Sequence, residues 1–305
     1  MKHENMSAVN GSMDARSKNG PDRKCTQGTC EPEADFATKQ TRFRTALSIA
    51  GFDGSGGAGI QADLKTFSAT GCYGMTVLTA IPVQNTCGVR SCYDIPLSCI
   101  QEQLEVIFDD IRPDAIKIGM LFSGEIIELV TAFLRKNVDD IPIVLDPVMV
   151  AKSGAPLLQT DAVEALRSKL IPIARIITPN LPEARALVPG NYDKKTLTHK
   201  LLDLGCGAVL LKGGHEDGTT SDDLFLSHDM AETLSAPRIN SKNTHGTGCT
   251  LSAGIASFIA QGFSTLDACT KAKSYLHGAM LHSKDSNLGK GHGPVHHFYH
   301  LWKYL

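Results

Sequence analysis

Two glycine-rich turns, far apart in a chain of 305 residues, carry the residue types best suited to chemistry. The first reads Gly51-Phe52-Asp53-Gly54-Ser55-Gly56-Gly57-Ala58-Gly59, after the apolar run 46–50 (ALSIA) and before a helical stretch, 60–69. Gly54, Gly56 and Gly59 satisfy G-x-G-x-x-G. A dinucleotide site also needs an acid about 20 positions later, at the end of the second strand, to hold the ribose. That region reads Val83-Gln84-Asn85. A P-loop is excluded, because Ile60-Gln61 stands where Lys-Ser/Thr is required. What remains is a turn that lets backbone close on a small ligand. Gln61 and Asp63 follow on the first helical turn, where an acid complements the helix dipole.

The second turn spans 242–253, Lys-Asn-Thr-His-Gly-Thr-Gly-Cys-Thr-Leu-Ser-Ala. Successive backbone N–H groups at a helix start form an anion site, and Gly246 and Gly248 permit close approach. Thr247 and Thr250 add hydroxyl donors. Cys249 falls at the helix N-terminus, where the dipole lowers a thiol pKa. Phosphoryl transfer to an alcohol needs donors for the moving oxygens and a group that takes or steers the hydroxyl proton. This turn offers both.

The elements that must hold these turns are short β-rich runs alternating with amphipathic stretches. Runs at 46–50, 75–81, 115–118, 143–145, 175–177 and 208–211 read as strands. Helical spacing appears at 97–108, 124–135, 160–170, 182–187, 196–204, 248–260 and 266–281. Alternation of this kind implies parallel pairing through right-handed crossovers, and continuous apolar strands imply cover on both faces. One doubly wound α/β domain over 45–305 is expected, with small antiparallel additions at its edge from 89–94 and 223–234. In such sheets ligands bind beyond the carboxyl ends of the strands.

Composition narrows the function. The net charge of −2 gives no basic footprint for nucleic-acid binding, and no apolar run approaches a membrane span. Residues 1–44 contain no Leu or Ile and read as a disordered extension. That extension lacks an apolar signal region, and its acids argue against a transit peptide, so a cytoplasmic location is expected. The nine Cys include no C-x-x-C pair and read as reduced, mostly core residues, with Cys249 the exception. His292, His296, His297 and His300 look like a metal tract, and Lys117 reads as a strand-end charge.

Several stretches carry a resemblance: SGGAGIQADLKTFSATGCYGMTVLTA (55–80), VQNT (83–86), IKIGML (116–121), VLDPVMVAKSG (144–154), ITPNLPEA (177–184), LLKGGH (210–215), KNTHGTGCTLSAG (242–254) and GHGPVHH (291–297). In these residues and their order the chain resembles the hydroxymethylpyrimidine/phosphomethylpyrimidine kinases of thiamine biosynthesis, within the ribokinase-like superfamily. The resemblance implies a three-layer αβα sandwich with a mostly parallel central sheet, ATP and Mg²⁺ as cosubstrates, and a homodimer. It implies phosphorylation of 4-amino-5-hydroxymethyl-2-methylpyrimidine to its monophosphate and then to the diphosphate at one site. It places Gly51, Ala58, Asp63, Gln84 and Met120 at the pyrimidine, and Asp146 and Glu183 near the ATP phosphates and magnesium. Lys212 becomes the phosphate-contacting lysine, Gly246, Thr247, Gly248 and Cys249 the anion hole, and the GHGPVHH segment, which covers His292, His296 and His297, implies that the His tract is a structural tail. Phe52, Gly54 and Pro82-Val83 depart from the common family pattern beside the pyrimidine pocket. Two other readings are a pyridoxal/pyridoxine kinase of the same superfamily and a non-catalytic pyrimidine sensor. Gln84 and Cys249 disfavour the first; intact Asp146, Glu183, Lys212 and the GTGC turn disfavour the second.

Overall fold

Along the central strands, side chains alternate between two apolar cores. Leu47, Ile49, Ile116, Ile118, Leu145, Ile177 and Val209 enter one core, while Ala46, Ala115, Val144, Ile176 and Leu210 enter the other. A period of two with both faces apolar is the pattern of a sheet covered on both sides. The computed structural model describes residues 42–150, 162–214 and 218–302. Positions 1–41 of the expected extension, the AKSG end of the 144–154 stretch and His215 lie outside the described residues.

Ten strands form among the described residues, in chain order: β1 Thr45–Ala50, β2 Tyr73–Leu78, β3 Ala80–Asn85, β4 Gly88–Asp94, β5 Ala115–Ile118, β6 Ile143–Leu145, β7 Ile176–Ile177, β8 Ala208–Leu211, β9 Thr220–Ser227 and β10 Ala231–Pro237. The helices are α1 Gly59–Thr70, α2 Leu97–Asp110, α3 Gly124–Asn137, α4 Ala162–Ala165, α5 Leu181–Leu187, α6 Lys194–Leu202, α7 Thr247–Ala260 and α8 Thr265–Ser283. The main sheet has the order β10-β9-β8-β7-β6-β5-β1-β2. It is parallel from β2 to β8 and antiparallel at β9 and β10. Helices α2, α3, α5 and α6 pack on one face, and α1, α7 and α8 on the other, which gives three layers.

Two expectations change. The run 75–81 is not one strand: it breaks at Thr79, whose hydroxyl donates to the Met120 carbonyl at 2.7 Å. Beyond the break the chain leaves the main sheet. Segment 89–94 then pairs with β3 as a separate two-stranded hairpin, not at the sheet edge. Pro82 suits that placement, since proline cannot donate to a central ladder. Segment 223–234 does join the edge, within β9 and β10.

Strand order reverses at β1, whose neighbours are β2 on one side and β5 on the other. The crevice at such a reversal lies beyond the carboxyl ends of the strands. The turn 51–59 leaves β1 there, Met120 follows β5, Asp146 follows β6 and Lys212 follows β8.

Candidate active site

One cavity of about 860 Å³ opens at this crevice. Gly51, Ala58, Gln84, Met120, Asp146, Glu183, Lys212, Gly246, Thr247, Gly248 and Cys249 all line it. At one end, the Gln84 amide Nε2 donates to the Phe52 carbonyl at 3.2 Å. That bond fixes the amide plane and turns its oxygen into a defined acceptor for a ring substituent. A Cβ on Gly51 would stand 3.0 Å from the Met120 sulfur, so glycine keeps the wall thin enough for a flat ring.

At the other end lies a charge cluster. Lys212 Nζ bonds Asp146 Oδ1 at 2.9 Å and sits 3.9 Å from Glu183 Oε2. Asp146 also accepts from the hydroxyls of Thr178 at 3.2 Å and Ser252 at 3.3 Å. Burial pushes the Asp146 carboxyl up, but Lys212 and Lys117 outweigh it and hold the group below its ordinary range. Burial likewise opposes the Lys212 charge, and Asp146 and Glu183 more than restore it. The pair is therefore ionised.

Glu183 owes its position to the Asn-Leu-Pro-Glu sequence, which builds a capping box at α5. Its carboxylate accepts the Asn180 amide at 2.8 Å, and its own amide donates to the Asn180 side chain at 2.9 Å. Burial pushes its pKa up to about 7 despite Lys212. The folded state thus holds this proton more tightly than the unfolded chain. That stabilisation is complete below the ordinary glutamate value of 4.5 and is lost as pH rises through about 7. Glu183→Gln keeps the capping box and removes the titration. In unfolding free energy it is expected to match the wild type at pH 4.5 and exceed it at pH 8.5, by at most about 3 kcal/mol. Equal differences at both pH values would exclude Glu183 as the titrating group.

The second turn meets this cluster. Gly246 adopts φ +79°, and a Cβ there would overlap the Gly57 carbonyl oxygen. No side chain caps α7 at this residue, so the first-turn amides are presented to a ligand. A Cβ on Gly248 would stand 3.3 Å from Asp146 Oδ2 and 3.5 Å from Lys212 Nζ. The anion turn and the lysine therefore converge on one volume, an arrangement able to hold a transferring phosphoryl group.

Two sequence expectations are corrected. Asp63 does not line the cavity. Helix α1 starts at Gly59, which puts Asp63 beyond its first turn, and the side chain is fully buried. There it accepts from Ser48 Oγ at 2.5 Å and Lys117 Nζ at 2.8 Å. Lys117, which burial alone would discharge, is held protonated by Asp63. Cys249 is the second correction. It sits at the helix start, but burial pushes its thiol up to about 11, against the pull of the Lys117 charge. At neutral pH the group is a thiol, not a thiolate.

Four further residues of this wall were not singled out from the sequence for a site role. Lys117 reaches the cavity from β5. His245 Nε2 lies 2.7 Å from Asp53 Oδ2. Asp223 accepts from the Gly213 amide at 2.8 Å and from Lys273 Nζ at 2.7 Å, beside Lys212. For Lys117 a signal existed: a lysine inside an AIKI strand that is apolar on both faces must find a buried acid. In the tail, His297 is buried and its pKa is lowered to about 3 by burial, so the ring is neutral. Its Nε2 meets Thr250 Oγ1 at 3.1 Å, next to Cys249. His300 bonds the Ala69 carbonyl and His296 packs on Trp302.

The family model described as phosphomethylpyrimidine kinase matches residues 53–296. A hydroxymethylpyrimidine/phosphomethylpyrimidine kinase of Salmonella typhimurium is 49% identical over 263 residues, covering 84% of this chain and 98% of the relative. Among solved structures, a phosphomethylpyrimidine kinase from Clostridium difficile superposes with TM-score 0.69 at 43% identity, over 78% of this chain and 99% of that one. A pyridoxal kinase from Staphylococcus aureus, solved with AMP-PCP and pyridoxal, gives TM-score 0.78 at 32% identity, over 86% of this chain and 96% of that one. The fold is the three-layer α/β architecture of the ribokinase-like kinases, and the chain belongs to the phosphomethylpyrimidine kinase family.

Proposed function

We propose that this chain uses ATP to phosphorylate 4-amino-5-hydroxymethyl-2-methylpyrimidine at its hydroxymethyl group, and then phosphorylates that monophosphate to the diphosphate. The observation that carries the reading is the convergence of Lys212, Asp146 and the Gly246–Gly248 backbone at one end of a cavity whose other end offers Gln84 and Met120. The Gln84 carboxamide oxygen accepts from an aminopyrimidine, and Met120 packs on the ring. The turn amides and Lys212 stabilise the charge that spreads over the phosphoryl oxygens in flight. Cys249 stands in the same turn, and its thiolate fraction takes the hydroxyl proton.

Magnesium fits this site on its chemistry. Asp146 and Glu183 are hard oxygen donors beside the anion turn, and Mg²⁺ is usually held by one or two carboxylates together with substrate phosphates. Bound there, the ion would neutralise phosphate charge. A homodimer belongs to the same reading. The exposed cross-strand pair Ile81 and Tyr93, with Val83 beside it on the hairpin, supports an interface there. A cytoplasmic location is also part of it. No helix among the described residues is long and apolar enough to cross a membrane.

The test is ADP release with the hydroxymethylpyrimidine, its monophosphate and pyridoxal in parallel. Turnover of the first two is expected, with pyridoxal weaker. Turnover of pyridoxal alone would replace the pyrimidine assignment, and ligand binding without ADP release from any acceptor would leave only a sensor.

A further inference from the structure

We propose that the hydrogen bond between His245 and Asp53 sets the register of the two glycine-rich turns, so that both residues position the acceptor hydroxyl against the phosphoryl group. The inference rests on the kinase reading above and adds two residues to it. Asp53 is fully buried and its carboxylate is a hub. Oδ1 accepts from the Ser55 amide at 3.0 Å and the Ser55 hydroxyl at 2.7 Å. Oδ2 accepts from the Gly57 amide at 3.1 Å and the Ala58 amide at 2.7 Å. These four bonds shape the first turn. The fifth, from His245 at 2.7 Å, comes from a residue 192 positions away, immediately before the anion turn.

The contact around that bond is tight. A Cβ on Gly57 would overlap the His245 ring and stand 3.1 Å from the Pro294 side chain. With Gly246 pressed on the Gly57 carbonyl, the two turns meet with almost no side chain between them. His245 is fixed from behind as well: its amide donates to the Gly293 carbonyl at 3.0 Å, and its backbone bridges to Pro294. The imidazole therefore spans from the C-terminal segment, through the anion turn, to the turn that carries Gly51 and Ala58. Although burial opposes it, the bonds from His245 and Ser55 bring the Asp53 carboxyl down to about 2, so the hub stays an acceptor at any working pH.

Such a latch matters because the two walls hold different reactants. A shift of about 1 Å between bound partners can lower a rate about 10²-fold without changing how either one binds. The experiment compares H245A, H245N and H245Q in the full chain. Glutamine carries an amide nitrogen near the place of Nε2, while asparagine stops short of Asp53. H245A and H245N are expected to lower kcat by roughly 30- to 100-fold with both acceptors, and to move each KM less than about threefold. H245Q is expected to return within about fivefold of the wild type. Amide exchange at Gly57 and Ala58 should quicken in H245A and H245N but not in H245Q. Equal losses in H245Q and H245A, an unchanged kcat, or a raised KM with kcat intact would each overturn the latch. Should H245A fail to fold, H245N carries the comparison. A wild type that turns over neither acceptor refutes the kinase reading instead, and exchange at Gly57 and Ala58 still decides whether the bond holds the first turn.

Discussion

Lys212→Ala is expected to lower kcat about 10³-fold with either acceptor, while the KM for ATP rises less than about tenfold. Lys212 lies against both the anion turn and the Asp146 carboxylate, where in the proposed reaction its charge would stabilise the charge spread over the transferring phosphoryl oxygens. Removal also leaves Asp146 and Glu183 buried without their cation, and an unpaired buried charge is destabilising. The stability loss should therefore be larger at pH 8.5 than at pH 5.5, where Glu183 is protonated. Steady-state kinetics with calorimetric unfolding at the two pH values separate the effects. An unchanged kcat with only weaker ATP binding would make Lys212 an anchor for the nucleotide and not a part of the transfer.

Much of the arrangement behind that prediction was readable from the residues. Strands β5, β6 and β8 coincide with the apolar runs AIKI, IVL and AVLL, because strands buried on both faces are short and continuously apolar. The reversal of strand order then fixes where those runs end, and the cavity follows. The local patterns failed where a side chain answers to a partner distant in sequence. The local pattern sets Asp63 on the first helical turn and the resemblance sets it at the pyrimidine; only the fold shows that Ser48 and Lys117 face it from two neighbouring strands. The thiol of Cys249 follows the same rule. Its helix position is local and visible, whereas the burial that raises it is tertiary and outweighs the dipole. Only half of the hairpin is local: β4 has its own pattern, but the break at Thr79 depends on the Met120 carbonyl. Asp53 and His245 lie inside two recognised motifs. The glycines mark those motifs, but the bond joining them has no sequence signature at a separation of 192 residues.

The raised thiol makes a sharper prediction for Cys249 than simple loss of activity. The two reactions proposed for this cavity differ in their nucleophile. The alcohol of the first must lose a proton, whereas the phosphate of the second already carries an ionised oxygen at neutral pH. A general base is needed for the first and not for the second; an anion hole is needed for both. Cys249→Ala is therefore expected to lower kcat by about 10²-fold or more with the hydroxymethylpyrimidine, but less than about tenfold with its monophosphate. The pH profiles should differ in the same way. With the thiol up at about 11, the thiolate fraction grows about tenfold per pH unit through the neutral range. Wild-type kcat for the alcohol should rise from pH 7 to pH 9, and that rise should vanish in the alanine variant. For the phosphate acceptor, both proteins should be flat over the interval. Equal losses in the two steps would assign Cys249 to the anion hole alone, since the backbone of residues 246–249 serves both acceptors alike. Wild-type turnover of both would reduce it to a packing residue beneath Gly59 and Lys117.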